Sequence, residues 1–99
     1  MSVLINLSIF PTDKGISASP YVARVIKMLE DSGWPFALNS MSTNIETAEM
    51  SDALELIQKA YDVLSADCDR VYAVVTMDIK KGEIGRIKAK VESVNSKLR

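Results

Sequence analysis

The apolar residues of this chain change period several times along its length, and the order of those changes is what most limits the fold. In "SVLINLSIF", residues 2–10, they alternate: Val3, Ile5, Leu7 and Ile9 share one face, with Leu4, Asn6, Ser8 and Phe10 on the other. The segment is rich in β-branched and aliphatic residues and stops at Pro11, which predicts a strand. After the loop "PTDKGIS", Ser19 and Pro20 offer an N-cap and a first-turn proline. Val22, Val25, Ile26 and Leu29 then recur at three- and four-residue steps, the stripe of an amphipathic helix that Gly33 ends. "WPFALNSM" and "STNIETAE" read as two short strands with few turn residues between them. Ser51 is the expected cap of a second helix, with Leu54, Ile57, Tyr61 and Leu64 on one face. "DRVYAVVTMDI" is the clearest strand, expected to turn Val71, Ala73, Val75 and Met77 inward. Ile84, Ile87, Val91, Val94 and Leu98 mark a last helix whose seam is too short for a coiled coil of its own.

The order is therefore β-α-β-β-α-β plus a terminal helix, the split βαβ or ferredoxin-like arrangement. The fold class expected is α+β: a four-stranded antiparallel sheet with two helices on one face and a C-terminal helix. Right-handed crossovers put both main helices on the same side, leaving the other face bare with Leu4, Phe10, Tyr72 and Val74 on it. Ninety-nine residues, 47% of them apolar, suffice for one core, so a single domain spanning residues 1–99 is expected. A bare, half-apolar sheet face favours self-association, and a homodimer or homotetramer through face or edge-strand pairing is the expected state. No apolar run approaches the roughly 18 residues of a membrane span. "MSVLINLSIF" has no basic leader region and no small-residue cleavage site, so a cytoplasmic protein without a membrane partner is expected.

The chemistry is bounded by what is scarce. The chain has no histidine and one cysteine, Cys68, which excludes disulfide frameworks, zinc-finger spacing and His-based triads. Asp67 and Asp69 flank that thiol and are expected to raise its pKa and blunt it as a nucleophile. No glycine-rich phosphate loop occurs, and no spacing pairs an acid with a base. The expectation is a non-enzymatic protein with no catalytic residue, metal or cofactor. Nucleic acid is also disfavoured. The RNA-recognition motif shares this element order but needs aromatics on its central strands, and "STNIETAE" has none. Residues 1–79 carry eleven acidic and five basic side chains, whereas from Lys80 onward seven are basic and two acidic. Those late basic residues alternate with apolar ones at helical spacing, which reads as a solvated helix face.

The stretch "NSMSTNIETAEM", Asn39–Met50, is the least ordinary part of the sequence. It holds four hydroxyl residues and sets a carboxylate, Glu46, where the third strand runs beside the first. A carboxylate near the centre of a sheet must be solvated, paired or used. Pairing with a Lys or Arg of the basic final helix across a subunit boundary is one outcome. Strand propensity alone is a sufficient reason for Thr43, Ile45 and Thr47.

Taken together, "INLSIFP", "GISASPYVARVIKMLEDSGWPFAL", "MSTNIE" and "DRVYAVVTMDIK" resemble the small thiamine-binding proteins, the YkoF-related family. The resemblance runs over nearly the whole chain, and its most specific part is the Thr-x-Ile-Glu segment at Thr43–Glu46. It implies a ferredoxin-like, usually self-associated protein, which in some members binds thiamine or its hydroxymethylpyrimidine part. The chain departs from the family pattern at Ser42 and Thr47, where glycines are usual, and both add bulk beside the implied pocket. The ligand residues expected are Glu46, Thr43, Ser42, Asn6 and Ser8. A carboxylate suits the exocyclic amine or a protonated ring nitrogen of an aminopyrimidine, and small hydroxyl and amide groups suit its remaining edges. The competing expectation is an oligomeric regulatory or structural domain of the same fold that binds another small metabolite.

Overall fold

The computed structural model of the chain describes residues 1–98. Its elements are β1 (Ser2–Pro11), α1 (Ser19–Ser32), β2 (Phe36–Leu38), β3 (Thr43–Thr47), α2 (Met50–Ser65), β4 (Val71–Lys80) and α3 (Arg86–Lys97). The strands form one antiparallel sheet in the order β2-β3-β1-β4, the ferredoxin-like topology expected from the element order.

The period-two pattern of β1 is the organising feature. Val3, Ile5, Leu7 and Ile9 are buried on the helix side, and Ile45 joins them from β3. Val25 and Leu29 from α1 and Ala53, Leu56, Ala60 and Leu64 from α2 close the core over that face. The two alanines let α2 lie close to the sheet, and each fully buried aliphatic side chain contributes roughly 1.5–3 kcal/mol of transfer free energy. Gly33 ends α1 at φ 81°, a left-handed conformation that glycine adopts without a Cβ penalty. The Ser32 hydroxyl donates to the Leu29 carbonyl at 2.6 Å and accepts from the Trp34 amide at 3.2 Å, fixing the exit.

Several local expectations differ from the observed structure. Ala18, not Ser19, occupies the N-cap of α1, and Ser19 and Pro20 form the first turn. α2 begins at Met50, one residue before the expected cap Ser51. Its buried face is Ala53–Leu56–Ala60–Leu64, while Leu54 and Tyr61 are exposed. The four residues of the expected face span the border between the core side of the helix and a flank, so only Leu64 reaches the core. β4 is an edge strand that the helices scarcely cover: Val71, Val75 and Met77 are half-buried, and Ala73 is exposed. Nor is the far sheet face wholly bare. The start of α3 packs on β1 and β3 there, while Val91, Val94 and Leu98 further along the helix stay exposed.

A candidate ligand-binding cleft

β3 is shorter than β1, and this difference creates the site. The two strands pair from Val3↔Thr47 to Leu7↔Thr43, whereas β1 continues to Pro11, held on its other side by β4 as far as Pro11↔Val71. Beyond Leu7 the β3-side edge of β1 therefore has no strand partner among the described residues. The connection Asn39–Ser42 bends past this edge, closed by the Asn39 amide donating to the Ser42 carbonyl at 2.8 Å. The first turns of α1 form the roof. The result is a cleft of about 340 Å³ lined by Leu7, Ser8, Ile9 and Phe10 of β1, Ala18, Val22 and Val25 of α1, and residues 38–43.

Three of the five residues expected from the sequence meet here. Thr43 is buried at the floor, and Ser42 and Ser8 are half-buried in the walls. Leu7, Ile9 and Val25 supply an apolar base, Phe10 an aromatic side chain, and Met41, almost fully exposed, a flexible rim. Among the described residues, no charged side chain lines the cleft. The arrangement suits a small, flat, largely neutral ring: apolar contact beneath it, and hydroxyl and amide groups at its edge to fix orientation.

Asn6 lies elsewhere, on the far face of the sheet. There the Asn44 side-chain amide donates to Asn6 Oδ1 at 3.0 Å, and Asn39 Nδ2 donates to Asn44 Oδ1 at 2.8 Å. This row of amides borders a shallower hollow of about 230 Å³ that Thr76, Asp78 and Lys90 also line.

Glu46 is the larger surprise. It too is on the far face, opposite Leu4, and it is fully buried under the start of α3. Its Oε1 accepts from the backbone amides of Gly85 and Arg86, both at 3.0 Å, and its Oε2 accepts from the Ser2 hydroxyl and, at 3.3 Å, from the Arg86 amide. The carboxylate thus caps a helix N-terminus from another element. It satisfies amides that α3 cannot bond internally and sits at the positive end of the helix dipole. Burial alone would raise its pKa, but the bonds from Ser2, Gly85 and Arg86 outweigh that and hold the carboxyl below the ordinary glutamate range.

Around this pin, Arg86 donates from Nε to Ser2 Oγ at 2.9 Å and from Nη2 to both the Ser2 and the Asp78 carbonyls. It also pairs with Asp78 Oδ2 at 2.9 Å, and Lys90 reaches the same oxygen at 3.0 Å. The hydrogen bond from Lys90 and the charge of Arg86 hold Asp78 below its usual value against the opposing effect of burial. Sequence reasoning missed Ser2, Asp78 and Arg86 as members of this cluster. A signal was present: "GEIGR" opens an amphipathic helix with none of the side chains that normally cap one, so the acceptor had to come from elsewhere. The partner anticipated for Glu46 in the basic helix is thus the helix's own backbone, within one chain. Cys68 is buried at the entry to β4, and burial first, then Asp67 and Asp13, pushes its thiol pKa up; of the two flanking aspartates expected to do so, Asp67 acts and Asp69 does not contribute.

The topology is that of a ferredoxin-like α+β protein, and the hydroxyl-lined cleft has the dimensions of a small-molecule site. The chain belongs to the thiamine-binding protein family, whose sequence model matches residues 5–95. It is 31% identical over 98 residues to the UPF0045 protein Mb1933 of Mycobacterium bovis, covering 99% of this chain and 96% of that one. Among solved structures it is similar to the protein MJ1052 of Methanocaldococcus jannaschii, with a TM-score of 0.84 at 26% identity over 95% of this chain and 96% of that chain. A Thermotoga maritima protein named as a candidate for thiamine biosynthesis or salvage shares the fold, with a TM-score of 0.81 at 18% identity over 95% and 99% of the two chains. No helix among the described residues is long and apolar enough to cross a membrane.

Proposed function

We propose that this chain is a non-enzymatic, cytoplasmic binding protein for thiamine or its hydroxymethylpyrimidine part, taken up in the cleft between β1, α1 and the β2–β3 connection. The observation that carries this reading is the convergence of Ser8, Ser42 and Thr43 on one cavity of about 340 Å³. That volume sits at the small end of the roughly 300–1,000 Å³ usual for small-molecule sites. Family membership supports the ligand class. In this reading the hydroxyls of Ser8, Ser42 and Thr43 serve the ring nitrogens and exocyclic amine of the pyrimidine. Phe10 offers the aromatic face toward which a thiazolium cation would be drawn. Ser42, where a glycine is usual in the family, supplies an extra hydroxyl as well as bulk.

Glu46 enters the reading as the residue that holds α3 and not as a ligand contact, because its oxygens are already engaged by Ser2, Gly85 and Arg86. A non-enzymatic role is supported by a cleft lining of hydroxyl, amide and apolar groups, with no acid placed beside a base.

Isothermal titration with thiamine and, separately, hydroxymethylpyrimidine tests the proposal. Binding at micromolar or tighter affinity, weakened in Thr43→Val, is the expected result. Absence of binding by both compounds to the folded protein would end the thiamine reading.

A further inference from the structure

We propose that the main chain of Ile9 reads the ligand of the cleft, its N–H and C=O binding the amidine edge of a neutral 4-aminopyrimidine; this rests on the aminopyrimidine reading above. The alternation of main-chain direction along β1 places that pair. The Thr12 amide donates to the Arg70 carbonyl at 2.9 Å, on the β4 side. Successive strand residues turn their N–H and C=O to opposite edges. Phe10, Ser8 and Asn6 therefore also serve β4, and Pro11, Ile9, Leu7 and Ile5 serve the β3 edge. β3 gives the same answer independently. The Glu46 amide donates to the Pro35 carbonyl at 3.0 Å, on the β2 side, which leaves Thr43 and Ile45 facing β1. Leu7↔Thr43 is thus a pair that exchanges both bonds, and it is the last one. The next would fall at Ile9, where β3 has ended.

Ile9 is only 7% exposed, yet among the described residues no hydrogen bond reaches its N–H or its C=O. Buried main-chain groups are nearly always satisfied. Here a parallel donor and acceptor open together into the cleft of about 340 Å³. Pro11 marks the same edge, because the N–H it lacks would fall on the open side. The lining agrees. It takes Leu7 and Ile9 from the helix face of β1 and Ser8 and Phe10 from the far face, as a gap in the plane of the sheet must. A flat ring fits that gap edge-on to β1, with Val22 and Val25 of α1 on one side and Phe10 on the other.

In a continuing ladder the missing residue would return one acceptor and one donor, side by side. The N=C–NH2 edge of a 4-aminopyrimidine offers the same two groups in one plane. Its ring nitrogen accepts from the Ile9 N–H, and one amine proton goes to the Ile9 carbonyl. The hydroxyls of Ser8, Ser42 and Thr43 are left for the second amine proton, the other ring nitrogen and the ring's substituents. A 4-oxo pyrimidine carries the donor on the ring and the acceptor outside it. It meets Ile9 only by turning over in the slot, which takes its other edge away from the hydroxyls. Ile9 thereby selects the amino ring over the oxo ring. It also selects the neutral form, since a protonated ring nitrogen has no lone pair for the Ile9 N–H.

Nuclear magnetic resonance of the wild-type protein, isotopically labelled, with hydroxymethylpyrimidine labelled at its nitrogens tests this without altering the chain. At saturating ligand the Ile9 amide proton is expected to move downfield and to exchange at least tenfold more slowly. A scalar coupling across the hydrogen bond should connect the Ile9 nitrogen to one ring nitrogen. Calorimetry with the 4-oxo analogue of the same compound should give an affinity at least tenfold weaker than that of the amino compound. Binding of the amino compound with no slowing and no coupling at Ile9 would overturn this inference and leave the thiamine reading standing. Equal affinity for the 4-oxo analogue would overturn it as well. Absence of binding by the amino compound would end both.

Discussion

Glu46 and Thr43 are three residues apart on the same five-residue strand, and that odd spacing gives them different work. Thr43 turns toward the helices and the cleft; Glu46 turns away and holds the start of α3. Replacing Thr43 by valine keeps its shape and removes one hydroxyl, so the fold should persist while affinity for an aminopyrimidine falls by about 1 kcal/mol, close to fivefold by calorimetry. Glu46→Gln should do the reverse. It sets an amide nitrogen against backbone donors and discards the charge at the helix terminus, costing about 2 kcal/mol in denaturant unfolding. Ligand affinity should stay within about twofold of wild type. A loss of binding in Glu46→Gln without a loss of stability would reverse the assignment.

Among the elements, α3 is the one whose position depends most on a few polar contacts. None of its residues is buried, and its first turn is held by Glu46, Ser2 and Asp78. Gly85 occupies the N-cap with φ 123°, and a Cβ there would meet nothing within 4 Å. Gly85→Ala should therefore cost about 1–3 kcal/mol through backbone strain alone, read as a lower midpoint in urea.

The sign of the pH effect follows from the depressed carboxyl groups. Glu46 and Asp78 titrate below their ordinary values when folded, so their contribution is complete above the ordinary carboxylate range. It is lost as pH falls through the folded values. The protection of the Gly85 and Arg86 amides against hydrogen exchange, relative to the intrinsic rate at each pH, should fall on acidification below about pH 4.5, the ordinary glutamate value. In Glu46→Gln those amides should exchange fast at every pH.

The elements also mark where sequence was readable. β1 and α1 were legible because each has one buried face and a period that reveals it. α2 was harder, since leucine, isoleucine and tyrosine on its flank continue an apolar surface that stays outside this chain's core. For α3 the missing local cap was legible in the sequence, but the identity of its acceptor was not, because donor and acceptor are 39 residues apart.

At the scale of the whole molecule, the proposed binding cleft follows from a mismatch of strand lengths. A ten-residue β1 beside a five-residue β3 leaves an edge open, and the β2–β3 connection and α1 enclose it. The sequence placed Ser8, Ser42 and Thr43 among the ligand residues from their chemistry and from family resemblance. Their meeting in one cleft depends on where pairing stops, and no local pattern encodes that. Asn6 shares the far face with Ser8 but lies where β3 still pairs with β1, opposite Asn44, and so away from the open edge.

The most direct test is amide chemical-shift mapping of the isotopically labelled protein during titration with thiamine and with hydroxymethylpyrimidine. The predicted shifts cluster at residues 7–10, 18–25 and 38–43, with Glu46, Gly85 and Arg86 unmoved. Shifts centred on Glu46, Gly85 and Arg86, or on Asn6 and Asn44, would contradict the placement of the site.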